Sequence, residues 1–185
     1  MSYLELIVGP MFSGKTSKLL EIYKQCKFCN INVQIINHKS DTRYDDKLLS
    51  SHDKIMAPCI QTEKLKDIWN DNKSDKLKNA EVILINEGQF FDDLFDIVLD
   101  MLKQNKKVYV CGLDGDFQRK KFGQILDLIP LCNKIYKCTS LCSLCKDGTA
   151  GIFTMRLTNE MQQTLVGSDN YVPVCRKCFD KNEKK

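Results

Sequence analysis

Eight residues near the start carry the clearest chemistry in the chain. Gly9-Pro10-Met11-Phe12-Ser13-Gly14-Lys15-Thr16 fits the pattern G-x-x-x-x-G-K-[ST] at every fixed position. Glycines let successive backbone N–H groups turn inward around phosphate oxygens, and the helix that follows points its positive end at the same anion. Lys15 can then bridge the outer phosphates of a nucleoside triphosphate, and the Thr16 hydroxyl can hold Mg²⁺. A chance glycine turn is the bland alternative. The apolar strand pattern before the motif and the helical pattern after it supply the context that a phosphate loop requires.

A second group follows the apolar run at residues 82–85. Asn86-Glu87-Gly88-Gln89-Phe90-Phe91 puts a carboxylate, Glu87, where it could take a proton from an attacking hydroxyl. It could equally be a charge near the N-terminus of the next helix. Asn86 occupies the place where a phosphate-loop enzyme usually has a metal-binding aspartate. Asp41-Thr42-Arg43 lies in a polar stretch, and Arg43 could stabilise charge on a transferring phosphoryl group. Loop arginines are more commonly surface residues. Phe90, Phe91 and Phe117 could stack on a base or simply fill the core.

The chain has ten cysteines. Cys142-Ser143-Leu144-Cys145 and Cys175-Arg176-Lys177-Cys178 form two Cys-x-x-Cys knuckles, the spacing of a tetrahedral Cys₄ zinc site. Four protein ligands leave no open coordination position, so such a zinc is structural. Redox chemistry is the alternative. Cys26-Lys27-Phe28-Cys29 shares the spacing but has no partner pair, and Cys26 reads as a small apolar residue. Cys59, Cys111, Cys132 and Cys138 read as singles. The two knuckles fix both ends of segment 146–174, whose glycines suit a loop closing over a substrate.

Stepping outward, strand and helix patterns alternate through about residue 130. Strands are expected at 4–8, 32–36, 82–85 and 107–111, and helices at 17–28, 65–69 and 94–102. Residues 38–58 read as a long, mobile loop with some local structure and 71–79 as a surface connection. Alternation of this kind predicts α/β architecture around a parallel sheet. After residue 137 short strands, turns and cysteines take over. The expected division is a nucleotide-binding domain at 1–137, a small zinc-binding domain at 138–180 and a polar tail at 181–185.

The bulk numbers suit one soluble domain with a small appendage. The chain has 185 residues, 43% hydrophobic and 28% charged. No run is long enough to span a bilayer and no secretory signal is visible, so the expected location is cytoplasmic, with no membrane partner. The net charge of +4 decides nothing, because acidic and basic residues are interspersed.

Five segments in order resemble the zinc-containing (type II) thymidine kinase family. They are the phosphate loop, Asp41-Thr42-Arg43-Tyr44, Glu87-Gly88-Gln89-Phe90-Phe91, Leu113-Asp114-Gly115-Asp116-Phe117-Gln118-Arg119-Lys120 and the two cysteine pairs. The resemblance implies a RecA-like phosphate-loop domain with a small C-terminal zinc-binding lasso. It implies transfer of the γ-phosphate of ATP to the 5′-hydroxyl of thymidine, with Mg²⁺. Glu87 is then the general base, with Lys15 and Arg43 beside it. The nucleotide site would comprise Gly9 to Thr16 with Asp41, Thr42, Arg43, Asn86, Glu87, Gly88 and Gln89. Met11, Phe90, Leu113, Phe117 and Thr154 would line the base pocket, and Gln162, Gln163, Thr164, Leu165, Val166 and Tyr171 would belong to the lasso. The family is usually a homotetramer inhibited by its end product dTTP.

Three departures stand out. Asn86 replaces the usual aspartate, which predicts weaker metal handling. Cys178 stands where animal members can have histidine. The connection from Cys145 to Thr154 looks slightly long. Two other readings remain: a nucleotide sensor with lost chemistry, and a zinc-ribbon ATPase acting on DNA. The second would call for a concentrated basic face, so no direct nucleic-acid contact is expected.

Overall fold

A computed structural model describes residues 1–41, 48–50, 56–71, 75–164 and 169–182. Its centre is a six-stranded sheet built from β1 (Tyr3–Val8), β2 (Val33–His38), β5 (Ile60–Thr62), β6 (Val82–Asn86), β7 (Lys107–Gly112) and β8 (Lys134–Lys137). The order is β5-β2-β6-β7-β1-β8, and every neighbouring pair is parallel. The α/β expectation therefore holds.

Both faces of the inner strands are covered, which explains their near-continuous apolar runs. Leu4, Leu6, Val8, Ile36, Ile83, Ile85, Val108 and Val110 face one core. Ile7, Val33, Ile35, Val82, Leu84 and Cys111 face the other. Helix α1 (Lys15–Phe28) closes the second face with Leu19, Leu20 and Cys26 buried. Helix α4 (Leu94–Lys103) closes the first, burying Leu94, Val98 and Met101 along one stripe. Each such side chain contributes about 1.5–3 kcal/mol relative to exposure. Helix α2 (Leu65–Trp69) packs beside α4, where Trp69 Nε1 donates to Asp100 Oδ2 at 2.6 Å. The Asp93 carboxylate accepts the Leu65 and Lys66 N–H groups at 3.1 and 2.9 Å, capping the start of α2 from another segment.

The local structure expected in the long loop is a short antiparallel ribbon, β3 (Leu48–Ser50) with β4 (Met56–Pro58), whose Leu49 and Ala57 are buried. Two other local expectations change. Within the stretch read as surface connection, helix α3 (Asp75–Lys78) buries Leu77 completely. Strand β8, not anticipated, adds an edge to the sheet beside β1. Its four residues are all exposed, so it lacks the apolar signal that identifies the inner strands.

Beyond the sheet lie two ribbons and a helix. Strand β9 (Ser140–Leu141) pairs with β10 (Ala150–Gly151), and β11 (Phe153–Arg156) with β12 (Tyr171–Val174). Helix α5 (Arg176–Asn182) follows. Their small core comprises Cys142, Val174, Cys175 and Phe179, with Phe153 and Met155 packed against it. Along β11 the alternation sends Phe153 and Met155 toward this core and leaves Thr154 and Arg156 buried on the opposite side.

Candidate active site

The phosphate loop runs from the end of β1 into α1. Gly14 adopts a left-handed conformation at φ 76°, and the first turn of α1 holds no acidic residue and receives no side-chain cap. Its N–H groups therefore form a site suited to an anion. The Lys15 ammonium donates to the Pro10 carbonyl at 2.6 Å, and Ser13 Oγ donates to the same carbonyl at 2.8 Å. The loop is also anchored from far along the chain, because Met11 N–H donates to Thr154 Oγ1 at 3.0 Å.

Helix α1 packs across β7 and β6, which brings Thr16 to the end of β6. There a row of polar side chains begins. Thr16 Oγ1 donates to Asn86 Oδ1 at 3.5 Å, Asn86 Nδ2 to Asn37 Oδ1 at 2.8 Å, and Asn37 Nδ2 to Asp41 Oδ2 at 3.3 Å. Asn37, Asn86 and Asp41 are all buried. A carboxylate thus stands behind Asn86, two amides away from Thr16. Asn37 went unnoticed in the sequence; its position on β2, in register with Asn86 on β6, is what makes it a partner. Thr42 and Arg43 lie outside the described residues.

Glu87 follows β6 directly, in a left-handed conformation at φ 54°. For a residue with a side chain that costs about 1 kcal/mol or more, and such strain concentrates at functional positions. Gln89 Nε2 donates to Glu87 Oε2 at 2.6 Å. Phe90 is half-buried and meets Phe122 edge-on at 5.5 Å, whereas Phe91 is fully buried core.

Four of the expected base-pocket and lasso residues, Phe117, Gln162, Gln163 and Tyr171, meet a side chain that sequence reasoning passed over. The Arg156 guanidinium lies 3.7 Å from the Phe117 ring centroid and 5.1 Å from that of Tyr171. Its Nη1 donates to the carbonyls of Glu160 and Gln162 at 2.6 and 2.5 Å, and Nη2 to the Gln163 carbonyl at 3.1 Å and the Tyr171 hydroxyl at 2.6 Å. Its Nε–H is buried without an acceptor. Gln163 Nε2 in turn donates to Asp116 Oδ2 at 2.8 Å, while Asp116 Oδ1 accepts the Gln118 and Lys120 N–H groups. The segment through Thr164 is thereby tied to the loop that carries Leu113 and Phe117. Leu165 and Val166 lie outside the described residues. Period-two spacing from Thr154 was the available signal for Arg156.

The late cysteines come together. One sulfur from each of Cys142, Cys145, Cys175 and Cys178 lies within 4.8 Å of the others. Cys145 Sγ is 3.4 Å from Cys178 Sγ and 3.7 Å from Cys175 Sγ. Tetrahedral zinc with bonds of about 2.3 Å sets sulfurs about 3.8 Å apart, so the donor set fits that ion. Burial works against ionisation of Cys142, but the N–H groups of Cys145, Cys175 and Leu144 outweigh it and bring the thiol to about 6. Hydrogen bonds with Cys178, Cys142 and Cys175 push Cys145 to about 12. Among the described residues, no helix is long and apolar enough to cross a membrane.

Comparison with known proteins agrees with this geometry. A family model described as "Thymidine kinase" matches residues 2–179. A rice thymidine kinase is 39% identical over 179 residues, spanning 95% of this chain and 65% of the rice protein. A sheeppox virus thymidine kinase is 36% identical over 178 residues, 96% of each chain. The bovine protein named "Thymidine kinase, cytosolic" is 36% identical over 179 residues, 96% of this chain and 72% of its own. On the extent of that match, and with a phosphate loop and a Cys₄ cluster on one parallel-sheet scaffold, the chain belongs to the thymidine kinase family.

Proposed function

We propose that this protein transfers the γ-phosphate of ATP to the 5′-hydroxyl of thymidine, giving dTMP and ADP. The observation that carries the reading is the Met11–Thr154 hydrogen bond, which joins the phosphate loop to the ribbon from which the lasso departs. Donor and acceptor pockets therefore share a wall. In the proposed reaction the O5′–Pγ bond forms as the bond from Pγ to the ADP oxygen breaks, and Glu87 accepts the hydroxyl proton. Lys15 and the loop amides hold the phosphates, and Arg43 carries transition-state charge. Bound Mg²⁺ would neutralise β- and γ-phosphate oxygens, with the Thr16 hydroxyl and the Asn86 carbonyl oxygen as the chain's oxygen donors toward it and its waters.

The base is read as thymine because Met11, Phe90, Leu113, Phe117, Thr154 and Tyr171 carry the family's pattern, with a lasso whose carbonyls are gathered by Arg156. A structural zinc at the four cysteines would hold the foot of that lasso. Inhibition by dTTP follows the same logic, since one molecule would offer thymine to the lasso and phosphates to the loop. A homotetramer is proposed from the family, and the open β8 edge, with Ile135 44% and Tyr136 40% exposed, offers surface for subunit contact. A reduced, cytoplasmic setting suits the thiol cluster.

The deciding experiment is transfer of labelled phosphate from ATP with Mg²⁺, using thymidine and, as control, deoxycytidine. Labelled thymidine monophosphate alone supports the kinase. Tight binding of both ligands without transfer favours the second reading, a nucleotide-binding homologue, whose one specific support is Asn86.

A further inference from the structure

Gln89 bridges two segments of the candidate site with a buried side chain. Its side chain is 3% exposed, and both ends of its amide are engaged. Nε2 donates to Glu87 Oε2 at 2.6 Å, and Oε1 accepts Leu113 N–H at 2.9 Å. A backbone N–H can only donate and a carboxylate oxygen accepts, so these two partners fix which way the amide points. The Gln89 side chain thus spans from the turn after β6 to the chain just beyond β7.

The space around it is cut to fit. A Cβ on Gly112 would lie 2.4 Å from Gln89 Oε1, and a Cβ on Gly123 would lie 2.2 Å from the Gln89 carbonyl oxygen. A larger residue at Gly112 would displace the side-chain amide, and one at Gly123 would displace the Gln89 backbone. Three features coincide: a slot left open by a glycine, a buried amide of fixed sense, and a carboxylate on a strained backbone at its donor end. A residue that only filled the core would need none of this polarity.

Resting on the reading of Glu87 as the base, we propose that Gln89 is a positioning residue. Its amide holds the Glu87 carboxylate in the orientation that receives the 5′-hydroxyl proton, and indexes that carboxylate to Leu113 at the edge of the nucleoside pocket. Glutamate side chains have three rotatable bonds, so a fixed donor removes rotamers that point the base away from the substrate.

The test uses the full-length zinc-loaded protein, with kcat and both KM values measured for wild type, Gln89→Glu, Gln89→Leu, Glu87→Gln and the double variant Gln89→Leu/Glu87→Gln. Gln89→Glu keeps an acceptor for Leu113 N–H and replaces the donor to Glu87 by a second carboxylate. Both Gln89 variants are expected to lose about 10-fold or more in kcat, with KM for ATP within about twofold of wild type. The double variant should be no slower than Glu87→Gln alone, because Gln89 acts through that carboxylate. The deficit of Gln89→Glu should shrink as pH falls, since two adjoining carboxylates share a proton that recreates the donor. Wild-type kcat in Gln89→Glu beside a crippled Glu87→Gln overturns this proposal alone, as does a double variant slowed by the product of the two single effects. Full activity in Glu87→Gln overturns the base reading and this proposal with it. Should Gln89→Leu fail to fold, Gln89→Glu still decides.

Discussion

Asn86 shows how much a single atom's neighbours decide. The sequence says that a formal charge is missing beside the phosphate loop; only the structure adds that Asn86 Nδ2 is committed to Asn37 and that Asp41 stands behind the pair. In Asn86→Asp that donor disappears, and Asn37 must turn its own amide toward the new carboxylate, giving up Asp41. We expect the Mg²⁺ concentration for half-maximal rate to fall, because a carboxylate is returned to the metal's side. The melting temperature should fall by a few degrees, reflecting about 1–2 kcal/mol for the broken buried contact. Metal titrations of activity and a thermal melt check the two halves. His38 offers a pH test at the same scale. Its ring lies 4.7 Å from Phe91, its Nδ1 accepts Ser40 N–H at 3.1 Å, and burial holds its pKa below the ordinary value. A depressed histidine favours the neutral form in the fold, so its stability contribution is intact above about pH 6.5 and is lost as pH falls from there through the folded value. Melting temperatures between pH 7.5 and 5 should decline less in His38→Asn than in wild type; an unchanged slope would remove His38 from that role.

At the level of elements, β11 is the piece that touches both the phosphate loop and the segment after it. Thr154 reaches the phosphate loop and Arg156 gathers the lasso, two positions apart on one face. Arg156→Gln should raise KM for thymidine on the order of 10-fold, about 1.4 kcal/mol, while leaving KM for ATP nearly unchanged. Chymotrypsin should also cut faster beside Leu157 and Met161. Arg156→Lys should not rescue, since an ammonium cannot present the planar fork that holds several carbonyls at once. If thymidine KM stays at the wild-type value, the lasso does not depend on this contact. The legibility of elements followed burial. The inner strands and α1 were readable because apolar side chains face two cores, and the phosphate loop because its spacing is rigid. Strand β8 was not readable, because an edge strand with every side chain exposed carries no periodic signal. Helix α3 was hidden by its brevity: a single fully buried leucine, Leu77, among lysines and asparagines resembles a loop.

Across the whole molecule, the thiol cluster stands between the lasso and the carboxy-terminal helix. Arg119, beyond Phe117, lies 4.5 Å from the Phe179 ring centroid and pairs with Asp180 at 2.8 Å, so the thiol-bearing unit also grips the Phe117 loop. Stripping zinc with a strong chelator should therefore weaken thymidine binding before ATP binding, and reloading should become harder as pH falls because the thiols must lose protons. Parallel calorimetric titrations of the two ligands before and after chelation would show it, and equal losses would mean that the metal supports the fold at large. The cysteine spacing announced this cluster from the sequence. Its reach to Arg119 was not legible, because nothing local marks a partner 61 positions away. The Met11–Thr154 bond has the same character across 143 positions, and it bears on how the chain matures. During synthesis the phosphate loop leaves the ribosome 143 residues ahead of Thr154, so its Met11 amide waits for that whole stretch before finding its partner. A nascent chain cut short before β11 would thus carry the nucleotide signature without the finished loop, and nucleotide affinity should mature in step with the emergence of β11.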